Sequence, residues 1–155
     1  MKFEIYCDGS TKGNGTVNSV GGWAYLVHEG GNVFHKENGA EAGTTNQRME
    51  LTAAAEALDY VANNVMAPFD QVIVYTDSAY LHNCYVQNWW RGWQNNGWRN
   101  SKKQPVANQD LWERLIPYFE MPEIEFVKVK GHAGVEYNEI VDTMAQTAAA
   151  HYWRE

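Results

Sequence analysis

Residues 2–7, "KFEIYC", alternate weakly between polar and apolar positions and predict a first strand. "TKGNGTVNSVGG" (11–22) is rich in Gly, Asn and Ser and predicts a loop. "GWAYLVHEGGNVFHKENG" (22–39) predicts two strands joined at the "EGGN" turn. Over 44–65 the period changes to that of a helix, with Met49, Ala53, Ala57, Val61 and Val65 on one face. Pro68 closes the next connection, and 71–76 predicts a strand around Val72, Ile73 and Val74. Helices are predicted over 78–90 and 108–119, a strand over 124–130, a "GHAG" loop at 131–134 and a last helix over 135–153. Gly92 and Gly97 punctuate the stretch between the first two of these helices. The order β-β-β-α-β-α-α-β-α predicts an α/β fold: one mixed five-stranded sheet, opening as an antiparallel meander and flanked by helices. There is no repeat, low-complexity tract or linker, so 1–155 is expected to form a single domain.

Composition narrows the classes. No apolar run is long enough for a membrane helix, and the N-terminus lacks the apolar stretch of a signal peptide. Cys7 and Cys84 lie outside any CxxC or Cys/His cluster, which speaks against a disulfide framework or a zinc site. A soluble, cytoplasmic, monomeric protein is expected, and the initial Met with its immediate strand favours an independent chain. The net charge of −7 argues against a phosphate-rich partner until its distribution is considered. Residues 89–103, "WWRGWQNNGWRNSKK", carry Arg91, Arg99, Lys102 and Lys103 and no acid, so the remainder of the chain is at −11. The same segment holds four of the seven tryptophans; Trp89 and Trp93, four apart, are expected to pack as one face.

Two strand-like runs end on a carboxylate, Asp8 and Asp77. Taken singly, a helix cap is the commoner role for Asp77 and a turn for Asp8. Glu50 is harder to dismiss, because it borders the apolar face of its helix. Asp142 stands three and seven residues before Ala145 and Ala149 and also faces inward, whereas Glu136 and Glu139 read as solvated charges. Four inward carboxylates repel one another and no Lys or Arg is placed to pair with all of them. Oxygen ligands of this kind suit Mg²⁺ or Mn²⁺, and a pair of such ions is an established phosphoryl-transfer site.

The segments "YCDGS", "TTNQRMEL", "YTDS", "VKGHAG" and "NEIVDTMA", in this order and spacing, resemble the signature segments of type 1 ribonucleases H over the full chain. The resemblance implies the ribonuclease H-like fold. It implies hydrolysis of the RNA strand of an RNA–DNA hybrid by a two-metal-ion mechanism, leaving 5′-phosphate and 3′-hydroxyl ends. It carries metal-ligand roles onto Asp8, Glu50, Asp77 and Asp142, and a proton-handling or product-release role onto His132. It makes Thr45 a DNA-phosphate contact, and Asn14, Asn46 and Gln47 minor-groove contacts. Short polar side chains of this kind can read 2′-hydroxyls. The basic segment becomes a substrate handle, with Arg91, Arg99, Lys102 and Lys103 binding and Trp93 offering a ring to a deoxyribose.

The sequence departs from the family pattern in three places. Ala79 stands where many relatives have Gln, which removes one substrate hydrogen bond. The first loop is longer than usual and contains no proline. Gln94, Asn95 and Asn96 occupy handle positions where basic residues are common, so the handle is weakly charged. Two rivals remain: a non-catalytic hybrid-binding module, expected to lack one of the carboxylates, and a DNA nuclease or resolvase on the same fold, against which "TNQR" and the handle speak.

Overall fold

The computed structural model describes residues 1–14, 16–130 and 136–152. Five strands form one sheet in the order β3-β2-β1-β4-β5. Strands β1 (Lys2–Lys12), β2 (Val20–Glu29) and β3 (Asn32–Ala42) are antiparallel neighbours, while β4 (Gln71–Thr76) and β5 (Ile124–Lys128) run parallel to β1. Helix α1 (Asn46–Asn64) packs on one face with α2 (Ala79–Gln87), α3 (Trp89–Asn96) and α4 (Gln109–Phe119); α5 (Glu136–His151) packs on the other.

The period-two rule sorts β1 between these layers. Phe3, Ile5 and Cys7 enter the larger core with Leu51, Leu58, Val72, Val74 and Trp112. Tyr6 enters the smaller core with Val141 and Ala145 of α5. The alanines at 53, 54, 55 and 57 are fully buried, which lets α1 lie close to the sheet. Cys7 and Cys84 are buried free thiols, as their isolated positions suggest.

Three expectations need correction. Strand β1 does not end before Asp8; it continues to Lys12, paired with β2, so the loop shrinks to about 13–19 and Asp8 lies opposite Ala24. The turn reading of Asp8 is thereby overturned. The helix expected over 78–90 is broken by Asn88, which takes a left-handed conformation (φ 53°) and starts α3. Three helices, not two, therefore separate β4 from β5. Gly92 lies inside α3 and not at a break.

Two glycines set the distance of the helices that bear Glu50 and Asp142. A Cβ on Gly9 would stand 2.5 Å from the backbone nitrogen of Glu50 in α1. A Cβ on Gly22 would run into the carbonyl oxygen of Ala145 in α5. Backbone atoms cannot swing aside as side-chain ends can, so the whole helix would have to shift. Gly22→Ala is expected to destabilise the fold by about 1–3 kcal/mol or more through overpacking. Gly92→Ala, whose Cβ meets open space at an exposed position of α3, should be neutral or stabilising by up to about 1 kcal/mol. Thermal denaturation of the two variants checks both; a native midpoint for Gly22→Ala would mean that α5 is not seated on Gly22.

Candidate active site

The site lies where the parallel pairing of β1 and β4 runs out. That ladder ends at Tyr6↔Tyr75, and Asp8 and Asp77 follow two residues beyond on each strand. Glu50, in the second turn of α1, completes a set whose ligand oxygens all lie within 4.8 Å of one another. Asp8 is only 5% exposed, and Glu50 and Asp77 are half-buried. The cap that sequence reading offered to Asp77 belongs to its neighbour: Ser78 Oγ accepts from the Leu81 N–H at 3.0 Å and starts α2. Asp142 reaches the set from the opposite layer. It hydrogen-bonds Asp8 and accepts from Gln146 Nε2 at 3.0 Å. All four predicted ligands thus converge, from β1, α1, the end of β4, and α5. His132 lies outside the described residues.

The electrostatics are those of crowded, poorly solvated carboxylates. Burial pushes the Asp8 carboxyl up to about 8; the charge of Asp77 and the contact with Asp142 add to this, while the Gly9 N–H, 2.9 Å from Oδ1, opposes it. Burial likewise pushes Glu50 up to about 7, against a hydrogen bond from Ser78 and with the charge of Asp77 adding to the rise. Behind them, burial followed by the charges of Asp8, Asp77 and Glu50 raises the Cys7 thiol and keeps it protonated. Among the described residues, Asp8 and Glu50 take part in no ion pair. An all-oxygen donor set of this charge and closeness fits a hard divalent cation, which would relieve the repulsion that raises these groups.

The substrate residues expected at the start of α1 are built into its N-terminus. Thr45 is the N-cap, its Oγ1 accepting from the Arg48 N–H at 3.1 Å. Asn14 Oδ1 accepts from the Asn46 N–H at 2.8 Å, so the first loop meets the helix here. No proline is needed to hold that loop. Buried Ser19 donates from Oγ to the Thr44 carbonyl and accepts from the Thr44 N–H, both at 2.8 Å, and the Gly43 N–H donates to the Ser19 carbonyl. Asn46 and Gln47 are exposed. Sequence reasoning passed over Arg48 in the same segment. Its guanidinium makes a bidentate pair with Asp110 (3.0 and 2.7 Å) and reaches Glu41 at 3.2 Å, tying α1 to α4 and to the end of β3. The Asp110 contact is the main reason that its pKa lies above the ordinary arginine value.

In the basic segment, Trp90 is buried core, and Arg91 lies over its ring at 4.8 Å. Trp93 is half-buried among Trp89, Trp98 and Trp112, with ring centroids 5.6–6.2 Å apart. The expected packing of Trp89 with Trp93 is therefore present. Arg99, Lys102 and Lys103 are exposed on a short hairpin after α3, while exposed Ala79 leaves the start of α2 without a longer polar side chain.

The raised carboxyls make the metal-free fold sensitive to pH. Folded values of about 8 and about 7 exceed ordinary values of 3.8 and 4.5. The folded state therefore binds the extra protons, and the contribution of these two groups to stability is fully present below the ordinary values and is lost as pH rises through 7 to 8. With a chelator present, the melting temperature should fall across this range, and Asp8→Asn should flatten the fall. Added Mg²⁺ should restore the native midpoint at high pH. Parallel pH profiles for the native and Asp8→Asn proteins would refute the assignment.

Comparison with known proteins identifies the family. The sequence model of the RNase H family matches residues 1–150. The chain is 46% identical over 145 residues to a Ribonuclease H of Syntrophomonas wolfei, covering 93% of each. It is 44% identical over 147 residues to one of Symbiobacterium thermophilum, covering 94% of this chain and 93% of the other. Among solved structures, LC9-RNase H1, a type 1 RNase H with the type 2 active-site motif, superposes with a TM-score of 0.79 at 28% identity, over 96% of this chain and 72% of that one. LC11-RNase H1, solved in complex with an RNA/DNA hybrid, has a TM-score of 0.69 over 97% of this chain and 99% of that one; at 22% identity it speaks for the fold alone. With its family model and its curated relatives in agreement over nearly the whole length, the chain belongs to the ribonuclease H family of nucleases.

Proposed function

We propose that this chain cuts the RNA strand of RNA–DNA hybrids internally, leaving 5′-phosphate and 3′-hydroxyl ends. The observation that carries the reading is the meeting of Asp8, Glu50 and Asp77 within 4.8 Å, with Asp142 bonded to Asp8. These four residues would hold Mg²⁺, or Mn²⁺ in its place, as a two-ion site. When bound, such ions supply positive charge to the attacking and leaving oxygens of an in-line phosphoryl transfer.

The chain's own residues bring the phosphate to that place. The N-terminus of α1 presents Asn46 and Gln47, with Asn14 locked against it, to the wide minor groove of the hybrid, where 2′-hydroxyls are exposed. Thr45 accepts from a backbone N–H and keeps its own hydroxyl proton to donate to a DNA phosphate. Ser78 steadies Glu50 while capping α2. His132 is assigned the handling of a proton at the scissile phosphate, or the release of product. Residues 89–103 are assigned the handle, with Arg91, Trp93, Arg99, Lys102 and Lys103 along the DNA strand.

No helix among the described residues is long and apolar enough to cross a membrane. We place the protein in the cytoplasm as a monomer acting through a single domain; buried, unpaired Cys7 and Cys84 suit a reducing compartment.

Labelled duplexes test the reading. With Mg²⁺ the hybrid should be cut, all-DNA duplex should survive, and chelator should abolish cutting. Asp77→Asn should lower turnover by about 10²–10³-fold or more, the scale of losing a main transition-state stabiliser, while the protein stays folded. Efficient cutting of duplex DNA would favour the DNA-nuclease rival. Tight hybrid binding without cutting would favour the binding module. Near-native turnover by a folded Asp77→Asn protein would remove that residue from the site.

A further inference from the structure

Beyond α3 the chain folds into a hairpin that burial does not hold. Residues 99–105 are all exposed, and the first buried residue after them is Val106, whose N–H donates to the Trp98 carbonyl at 3.0 Å. The chain reverses through Gly97 (φ 77°) and Trp98 (φ 65°), a left-handed pair that is costly for a bulky tryptophan. Lys103 is also left-handed (φ 62°). A backbone in this conformation needs something to fix it.

Two asparagine side chains do so. Asn96 clips Arg99 reciprocally: its Oδ1 accepts from the Arg99 N–H at 3.0 Å, and its Nδ2 donates to the Arg99 carbonyl at 2.9 Å. Asn100 Oδ1 accepts from the Lys102 N–H at 2.9 Å and the Gln104 N–H at 3.0 Å. Backbone bonds complete the turn, from the Asn100 N–H to Gln104 and from the Lys103 N–H to Asn100. Every cation of the hairpin is thus either clipped directly or lies within a turn that Asn100 closes. The hairpin stands off α3 across a hollow of about 430 Å³, which Asn96 and Asn100 help to line with Trp89, Trp93 and Arg99.

We propose that Asn96 and Asn100 are positioning residues for substrate binding. They hold Arg99, Lys102 and Lys103 in one preformed array, so that the phosphates of a strand meet cations already in place. The inference rests on the reading of 89–103 as the handle. Its physical basis is the cost of ordering: a flexible loop of long cations loses part of its binding energy when fixed, and a preformed one does not. A chain with net charge −7 and few handle cations gains most from such an arrangement. The sequence comparison treats Gln94, Asn95 and Asn96 alike, as three missing charges. The structure separates them. Gln94 and Asn95 are exposed and make no side-chain hydrogen bond among the described residues, whereas Asn96 is the clip.

The experiment measures KM and kcat for one labelled hybrid with Mg²⁺ across a salt series. Asn96→Ala and Asn100→Ala should each raise KM about fivefold, the scale of re-ordering a loop on binding, and lower kcat far less. Asn100→Asp keeps both acceptor bonds; once salt screens its charge, its KM should match the native value at the same salt, while that of Asn100→Ala stays raised. Gln94→Lys and Asn95→Lys should lower KM, but Asn96→Lys should not, because the added charge comes with a lost clip. If Asn96→Lys lowers KM as far as the other two, or if both alanine variants keep the native KM, positioning is overturned. Replacing Arg99, Lys102 and Lys103 together with Ala tests the handle itself and should raise KM and flatten its salt dependence. If that triple variant raises KM while the asparagine variants do not, the handle stands and the positioning role falls. If it keeps the native KM and salt slope, the handle reading falls and the positioning role falls with it.

Discussion

Like charges gathered where water reaches them poorly are the constraint on which this structure turns. Asp8, Glu50 and Asp77 would each be more stable apart, and burial raises two of them far above the ordinary carboxyl range. Hydrogen bonds from Gly9 and Ser78 and the Asp8–Asp142 contact only partly offset this repulsion, so the scaffold must hold the cluster. Asp8 and Asp77 are fixed by the parallel register of β1 on β4. Glu50 is fixed by α1, which is pressed to the sheet by fully buried alanines and by its close approach at Gly9. Ion pairs finish the placement. Arg48 joins α1 to Asp110 of α4, and Arg114 of α4 returns to Glu56 and Asp59 of α1. Half-exposed pairs of this kind contribute little stability, typically about 0–1 kcal/mol. Their two-point geometry acts instead on the angle at which α1 carries Glu50 past the strand ends.

The same constraint explains how charge is divided along the chain. A site built from carboxylates in a body at −11 repels the polyanion that the enzyme must hold. Cations near the site would pair with the ligands and compete with metal. Three of the chain's twelve Lys and Arg residues, Arg99, Lys102 and Lys103, stand on the hairpin after α3, beside the half-buried Trp89, Trp93 and Trp98. The tryptophans that sequence reading set between core and ligand serve mainly as packing, seating this segment on the larger core. Only Trp90 among the four is fully buried, and its ring carries Arg91.

Much of this was legible in the sequence, for a physical reason. The strands and α1 are set by buried apolar periodicity, and burial is what a hydrophobic pattern records. The carboxylates stood out because charge at the end of an apolar strand breaks that pattern. Errors arose where polar side chains, not burial, determine the backbone. The extension of β1 past Asp8 is fixed by pairing with β2 across Gly9, Ser10 and Thr11, residues that read as a turn. The break at Asn88 depends on a left-handed residue, and asparagine adopts that conformation without a mark in the periodicity. Asp77 and Ser78 could each have capped α2. The sequence holds both candidates, and only the geometry shows that Ser78 takes the cap, with Asp77 in the ligand set.

Short polar side chains therefore do at the substrate-facing edges what apolar packing does in the core. Ser19 staples the first loop to Thr44, and Asn14 then meets α1 in a loop that contains no proline. Asn96 and Asn100 shape the hairpin in the same manner. A side-chain amide bonded to backbone fixes a turn without adding charge, whereas a lysine at the same place would add charge and leave the turn loose. Counted as charges, Asn96 and Asn100 add nothing to the hairpin. Counted as backbone hydrogen bonds, they trade the strength of the field for the placement of the few cations that remain. That exchange suits an acidic protein whose own surface works against any phosphate not met at a fixed point.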